Sequence, residues 1–151
     1  MKLKASADYG IRAVFYLAMK GRVCSSKEIS EEMSIPRDYL IQLSLRLRDA
    51  GILKARPGKN GGYELAKPAD KVSLLSIIDT LDVEDKQPRH PLSKKKTNAA
   101  EVDSVRYAQK VMAKSYAALF GRLTIGDLIA AYEDERDPKE MAATSLANAA
   151  E

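Results

Sequence analysis

The segment 25–65 constrains this chain most, because it reads as two short helices joined by a tight turn and followed by a hairpin. The first helix starts at Ser25, where Ser25 and Glu28 form the Ser-x-x-Glu pattern of a capping box. Residues 34–35 make the turn. Pro36 suits the first position of the next helix, because its missing N–H costs nothing there. The segment therefore predicts a helix–turn–helix.

The second helix of this pair has two different faces before Gly51 ends it. Its apolar core face consists of Leu40, Leu43, Leu47 and Ala50. Side chains that are four residues apart lie above one another on a helix, and polar residues at this spacing form a second face. That face carries Asp38, Gln42 and Arg46, with Arg37, Tyr39 and Ile41 close by. A reachable polar face suits a recognition helix.

The hairpin has strands at residues 53–56 and 62–65, with a glycine-rich loop between them. Within the loop, Asn60-Gly61 is a strong turn signal because both residue types tolerate positive φ. Lys59 at the tip is a natural contact for a phosphate. Helix, turn, helix and wing is the order of a winged DNA-binding domain. The segment therefore favours a transcription regulator over an enzyme.

The flanking segments are also helical, which makes the predicted fold mainly α with one small β-hairpin. A first helix spans about residues 6–20, with Ser6 as its cap, Asp8 in its first turn and Gly21 at its end. Ser73 caps a helix that runs to about residue 81. A long helix follows at about 99–120, and Thr124 with Asp127 forms a capping box for a short helix through residue 132.

These elements divide the chain into four parts. We expect a winged helix-turn-helix DNA-binding domain at 1–82 and a flexible loop at 83–98, which contains two prolines and a lysine run. Dimerisation helices follow at 99–132. The remaining residues, 133–151, are acidic and then alanine-rich, which predicts a disordered tail.

Composition excludes several classes of protein. A single cysteine, Cys24, excludes an internal disulfide framework, and the apolar run at 13–19 is too short to span a bilayer. With no secretory cleavage pattern, these features favour the cytoplasm. The chain has no phosphate loop, nucleophile elbow or metal-binding pair, and its one histidine leaves few options for acid–base catalysis. We therefore expect no enzyme activity.

Positive charge collects where the helix–turn–helix and the wing lie. Residues 1–66 carry 12 Lys/Arg against 7 Asp/Glu, whereas residues 124–151 carry 2 against 7. A polyanionic partner requires such a distribution, although ordinary scatter of solvated surface charge explains it equally well.

Three motifs carry a resemblance to a known family. They are the opening Met-x-Leu-x-x-x-x-Asp-Tyr-Gly-Ile-Arg-Ala at 1–13, Ser-Ile-Pro-x-x-Tyr-Leu-x-Gln-Leu at 34–43, and Gly-x-x-Gly-Gly-Tyr-x-Leu-Ala at 58–66. Together they resemble the Rrf2 family of bacterial winged-helix regulators, the family of IscR, NsrR and CymR. The resemblance covers about residues 1–132.

The resemblance implies a homodimer whose long helix pairs with its mate, with two recognition helices in successive major grooves of a pseudo-palindromic operator. We expect a sequence-specific regulator that acts as a repressor on double-stranded DNA. The implied and predicted DNA-binding residues are Ser26, Lys27, Pro36, Arg37, Asp38, Tyr39, Ile41, Gln42, Arg46, Arg56, Lys59, Asn60 and Gly61. The predicted dimerisation residues are Val102, Val105, Met112, Tyr116 and Leu119.

The chain departs from the family in its cluster ligands. Many members carry three cysteines in the loop before the dimer helix to hold an iron–sulfur cluster, and this chain has none after residue 83. We therefore expect no iron–sulfur cluster and no other cofactor. Asp8 stands where some members supply an acidic ligand, but a helix-dipole partner is the simpler interpretation. His90 lies in the loop, and we interpret it as a solvated side chain.

The residues expected to contact DNA also differ from the family pattern. Family wings often read Arg-Gly where this chain has Pro57-Gly58, and strand alternation turns Arg56 to the opposite face. Some members carry glutamate where this chain has Ile41, whose apolar side chain suits a thymine methyl group.

Two alternatives stay open at this point. The winged domain could instead be a protein-interaction module that regulates through a partner protein, and the salt dependence of binding would separate this case from DNA binding. An unknown effector could bind in either case. Cys24 could be a redox switch, since a helix entrance can acidify a thiol, or it could be a buried and inert residue.

Overall fold

The computed structural model describes residues 3–82 and 99–136, and it describes only the backbone of residues 99–106. The helices are α1 (Ala5–Lys20), α2 (Ser26–Met33), α3 (Arg37–Asp49), α4 (Leu74–Leu81), α5 (Ala99–Arg122) and α6 (Ile125–Glu135). The strands are β1 (Leu53–Arg56) and β2 (Gly62–Leu65), and a short 3-10 turn covers Ala69–Lys71. The predicted fold class, mainly helical with a winged helix–turn–helix, is confirmed.

The core is aliphatic and forms where α1 crosses the helix–turn–helix and α4. Fully buried side chains come from every one of these elements, and they include Val14, Leu17, Ile29, Leu40, Leu47 and Ile77. Burial of such apolar surface is the main favourable term in folding. Gly10 lets α1 approach α4 closely, because a Cβ at this position would overlap the Leu81 side chain. Ala50, which we expected in the core, is exposed.

Side-chain caps mark three helix starts where they were predicted. The Ser73 hydroxyl accepts a hydrogen bond from the Ser76 N–H at 3.1 Å, and Thr124 and Asp127 form both halves of a capping box. The Ser25 hydroxyl accepts from the Glu28 N–H at 3.1 Å. Each bond satisfies one of the N–H groups that a helix leaves without an internal partner.

Two predicted helix starts are wrong, Ser6 as a cap by two positions and Pro36 as a first helical residue by one. Ser6 lies inside α1, which begins at Ala5 after Lys4, and no side-chain cap is present there. Pro36 occupies the N-cap of α3, with φ −54° and ψ 125°, rather than the first helical position. The carbonyls of Lys4 and Pro36 accept the first helical hydrogen bonds, from the Asp8 and Leu40 N–H groups at 2.9 Å, which makes these two residues the N-caps.

The wing is a two-stranded antiparallel hairpin in which Leu53 faces Leu65 and Ala55 faces Tyr63. Cys24 extends it on the other edge: the Cys24 N–H donates to the Tyr63 carbonyl and the Tyr63 N–H to the Cys24 carbonyl, both at 2.9 Å. The start of α2 is thereby fixed to the wing.

The wing loop does not turn as predicted. The residue with clearly left-handed φ is Gly58, at +105°, and not Asn60 or Gly61. The loop closes through the Gly61 N–H, which donates to the Gly58 carbonyl at 3.0 Å. Gly61 is needed for another reason, because a Cβ there would overlap the Arg56 carbonyl oxygen.

Short backbone pairing holds the carboxyl-terminal helices on the winged domain. The Leu74 N–H donates to the Leu123 carbonyl at 2.8 Å, and the Ile125 N–H donates to the Val72 carbonyl at 2.9 Å. α5 and α6 each extend slightly beyond the predicted ends, and α6 includes residues 133–135 of the expected tail. The expected loop 83–98 and the tail beyond 136 lie outside the described residues. No described helix has the length and apolar character needed to cross a bilayer.

Candidate nucleic-acid interface

A groove of about 430 Å³ separates the wing from the starts of α2 and α3. Its walls include six residues of the predicted DNA-binding set: Ser26, Arg37, Ile41, Arg56, Lys59 and Gly61. The remaining wall is formed by Ala55, Pro57, Gly58 and Tyr63, with Ser25 and Gly62 at the base. Folding thus brings residues from three separate segments to one surface that carries three cationic side chains.

The amino-terminal turn of α2 lies on one side of this groove. Its first N–H groups have few partners within the helix, and the helix dipole adds partial positive charge there. The Ser26 hydroxyl accepts a hydrogen bond from Arg37 Nε at 3.2 Å, which joins the starts of α2 and α3. Lys27 is exposed, with its Nζ 3.9 Å from a Glu31 carboxylate oxygen. This arrangement suits a phosphate group.

The outward face of α3 carries Arg37, Asp38 and Gln42, all exposed, with Ile41 partly covered. Pro36, just before the helix, is exposed as well. Arg46 is half-buried at the edge of this face. Leu45, which the sequence analysis missed, is 39% exposed and lies four residues after Ile41. Its only sequence signal is an apolar residue at a position that the polar face should occupy.

Tyr39 points to α1 and is only partly available. Its ring packs edge-on against Tyr9, with 5.8 Å between the ring centroids, and it contacts the hydrophobic core. Tyr39 therefore supports the angle between α1 and α3. Its role as a DNA contact stays a prediction.

The wing presents its cations from the tip and from one face. Lys59 and Asn60 are exposed at the tip. Arg56 is exposed, and its Nε donates to a Glu64 carboxylate oxygen at 2.9 Å. Strand register explains this pair, because Lys54 faces Glu64 and Arg56 lies two residues further on the same side. Glu64 was missed in the sequence analysis, although an alternating strand pattern could have indicated it.

A hydrogen-bonded clasp joins the end of α1 to the first turn of α2. The Glu28 carboxylate accepts from Arg22 at 2.6 and 3.2 Å and from the Tyr16 hydroxyl at 3.0 Å. These contacts lower the pKa of Glu28, with the Arg22 bonds as the largest cause. Burial, together with the bond to Glu28, raises the pKa of Tyr16 to about 12. The predicted return bond from Glu28 to its own N-cap is therefore replaced by contacts with α1.

Cys24 is fully buried below this clasp. Burial raises the pKa of its thiol, and the negative charge of Glu28 adds to the effect. The interpretation of Cys24 as a buried residue is confirmed. The raised pKa of the thiol argues against its acidification at the helix entrance, and burial, the largest cause, was the signal that the sequence did not show.

Asp8 has an ordinary partner. Its carboxylate forms an ion pair with Arg12 at 2.6 Å, one helical turn further along α1. Within residues 3–82 and 107–136, His, Cys, Asp and Glu side chains form no cluster of three that could hold a metal ion. His90 lies outside the described residues.

α5 exposes most of its length beyond residue 106. Of the predicted dimerisation residues, Met112 is 71% exposed and Leu119 is 57% exposed. Tyr116 is partly covered within its own protomer and stacks on Phe120, with 4.5 Å between the ring centroids. The side chains of Val102 and Val105 are not described. Tyr107 and Val111, which are also exposed, were missed.

Comparison with known proteins identifies the family. A sequence profile named Rrf2, described as an iron-dependent transcriptional regulator, matches residues 3–131. This chain belongs to the Rrf2 family. The resemblance inferred from the three motifs is thereby confirmed, and with it the assignment to a family of transcriptional regulators.

Solved structures of Rrf2 regulators share the fold along nearly their whole length. IscR from T. potens is 25% identical with a TM-score of 0.72, over 94% of this chain and 96% of that one. CymR of B. subtilis, named a global cysteine regulator, is 25% identical with a TM-score of 0.68, over 86% and 97%. CymR of Staphylococcus aureus is 28% identical with a TM-score of 0.64, over 83% and 95%.

Proposed function

We propose that this Rrf2 regulator is a cytoplasmic homodimer that represses transcription by binding a pseudo-palindromic operator. The observation that supports the proposal is the groove between the wing and the helix–turn–helix. Arg37, Arg56 and Lys59 line this groove together with the amino terminus of α2. Phosphates on a duplex need such cations and N–H groups at fixed spacing. In this proposal a phosphate backbone of the duplex lies in the groove.

In this proposal α3 recognises the base sequence of the DNA. Its amino-terminal turns enter the major groove, where Arg37 and Gln42 meet base edges and Ile41 meets a thymine methyl group. Asp38 lies on the same exposed face and can accept a hydrogen bond from a cytosine amino group. Phosphate contacts from α2 and the wing then fix the register without reading sequence.

The dimer in this proposal forms through α5. A helix of 24 residues is about 36 Å long. Four of its large apolar side chains remain exposed in the protomer: Tyr107, Val111, Met112 and Leu119. Apolar surface of this kind favours burial against a second copy. In this proposal two α5 helices pair about a two-fold axis, and the two recognition helices read half-sites about one turn of DNA apart.

We also propose that the protein regulates without an iron–sulfur cluster. Thiolates hold such clusters, and the sequence contains only one cysteine. Cys24 is fully buried beside Arg22, and Asp8 is paired with Arg12. The donor atoms of the described residues therefore do not fit the cluster. An absorbance spectrum of anaerobically purified protein should lack the visible bands of iron–sulfur clusters.

The test of DNA binding begins with selection from random duplexes, followed by anisotropy titrations at several salt concentrations. For several phosphate contacts, the affinity should fall roughly 10³-fold between low and moderate salt. Lys59→Gln should weaken binding to specific and random duplexes alike. Lys71→Gln, which removes the same charge from the exposed 3-10 turn, should leave both unchanged. Binding that ignores salt would favour a protein partner instead.

A further inference from the structure

We propose that Glu28 is a positioning residue for DNA binding: its carboxylate holds the phosphate-facing turn of α2 and the attached wing in their binding arrangement. The inference rests on the proposed function and assigns a role to a residue that does not itself touch the duplex. Glu28 places a carboxylate in the first turn of α2, close to where phosphates should lie, although a carboxylate repels phosphates.

The clasp around Glu28 joins three parts of the protein. Tyr16 belongs to α1 and is itself buried, Arg22 belongs to the link between α1 and α2, and Glu28 belongs to the first turn of α2. Arg22 reaches both carboxylate oxygens, and the Tyr16 hydroxyl donates to one of them. Two donors from different elements fix the carboxylate, and hence the direction in which α2 starts.

The segment held by the clasp contains the predicted phosphate contacts. Ser26 and Lys27 immediately precede Glu28 in the same helical turn. At the other end of the segment, Cys24 pairs with Tyr63 of the wing through two backbone hydrogen bonds of 2.9 Å. Arg22 Nη1 also lies 3.4 Å from the Cys24 sulfur. A change at Glu28 can therefore move both the α2 turn and the wing.

Electrostatics and positioning predict opposite effects when the charge of Glu28 is removed. A carboxylate near phosphates repels them, so its neutralisation alone should strengthen binding to any duplex. If the carboxylate positions the surface, its neutralisation should weaken binding, because the amide of a glutamine keeps one acceptor oxygen but replaces the other by an NH2 donor, so Arg22 loses its contact with both oxygens. The sign of the change therefore distinguishes the two roles.

Glu32 provides the matched control. It lies one turn further along α2, is exposed, and takes no part in the hydrogen bonds of the clasp. Glu28→Gln and Glu32→Gln remove the same charge from the same helix. Tyr16→Phe is a second probe, which removes one donor of the clasp without any change of charge.

The experiment measures anisotropy of the full-length protein with its selected duplex as a function of salt, alongside the thermal unfolding midpoint of each variant. We expect Glu28→Gln to weaken binding about tenfold and to reduce the salt slope by about one phosphate contact. Glu32→Gln should bind as tightly as the wild type or slightly tighter. Tyr16→Phe should weaken binding about threefold at unchanged charge. Glu28→Asp, which retains the charge on a shorter side chain, should recover part of the loss.

The possible outcomes are distinct. If the wild type binds the duplex but Glu28→Gln binds as tightly as Glu32→Gln, the positioning role is overturned and the proposed function stands. If Glu28→Gln does not fold, the folded Tyr16→Phe variant decides, and wild-type affinity in that variant overturns the role. If the wild type shows no salt-dependent binding to any duplex, the proposed function fails, and the role of Glu28 fails with it.

Discussion

Gly62→Ala tests how firmly the wing is attached to the helix–turn–helix. A Cβ at residue 62 would overlap the backbone carbonyl of Cys24 and approach the Ser25 Cα at 2.9 Å. Backbone atoms cannot rotate away as a side chain does, so strand β2 must move. That movement breaks the two hydrogen bonds between Cys24 and Tyr63.

The size of the effect follows from these contacts. Each backbone hydrogen bond contributes about 1 kcal/mol net, and overpacking costs about 1–3 kcal/mol. We therefore expect Gly62→Ala to lower the free energy of unfolding by about 3–5 kcal/mol, which corresponds to about 10–15 °C in the melting midpoint for a chain of this size. Urea unfolding followed by circular dichroism measures the first quantity, and a thermal scan measures the second.

Gly121→Ala is the matched control. Residue 121 lies within α5, and a Cβ there would meet the Leu75 side chain at an ordinary 3.5 Å. Alanine favours a helix over glycine by about 1 kcal/mol, so this change should stabilise the protein. A Gly62→Ala protein with wild-type stability would refute the packing described for the wing, because it would require space that the Cys24 carbonyl occupies.

Three further predictions follow from the interface. The pKa of Glu28 is lowered below its usual value near 4.5, so Glu28 contributes stability that is present above that pH and is lost as the pH falls through its folded pKa. The free energy of unfolding, measured in urea between pH 3 and pH 6, should therefore depend less steeply on pH in Glu28→Gln. Equal slopes in the variant and the wild type would contradict this. Replacing the thymine that Ile41 contacts with uracil should weaken binding by about 0.8 kcal/mol, roughly fourfold, and Ile41→Ala should remove the difference, as competition titrations can measure. Substituting glutamate for Met112 and Leu119 together should yield a monomer in sedimentation experiments, since both are exposed in the protomer, and a dimer that persists would place the interface elsewhere.

Local signals in the sequence predicted the elements well. Ser25, Ser73 and Thr124 all cap helices where expected, because a cap needs only a hydroxyl and an N–H two or three residues away. The strand limits 53–56 and 62–65 follow from turn residues in the same way. These interactions are completed within a few residues, so a single sequence is enough to infer them.

Contacts between elements could not be inferred in the same way. The Glu28 side chain leaves its own N-cap for Arg22 and Tyr16, and Tyr39 turns towards Tyr9 on α1. Each case depends on the angle between two helices, which the sequence of neither helix specifies. The pairing of Arg56 with Glu64 is a different case, because it follows from the register of one hairpin, and the alternating strand pattern could have indicated it.

The central claim is that two copies of this chain present α3 and the wing to one duplex. Selection of random duplexes with the purified protein, followed by sequencing, tests it most directly. We predict an enriched site with dyad symmetry and half-sites about one helical turn apart. A pool that stays random after repeated rounds, or an enriched site without any symmetry, would contradict the claim.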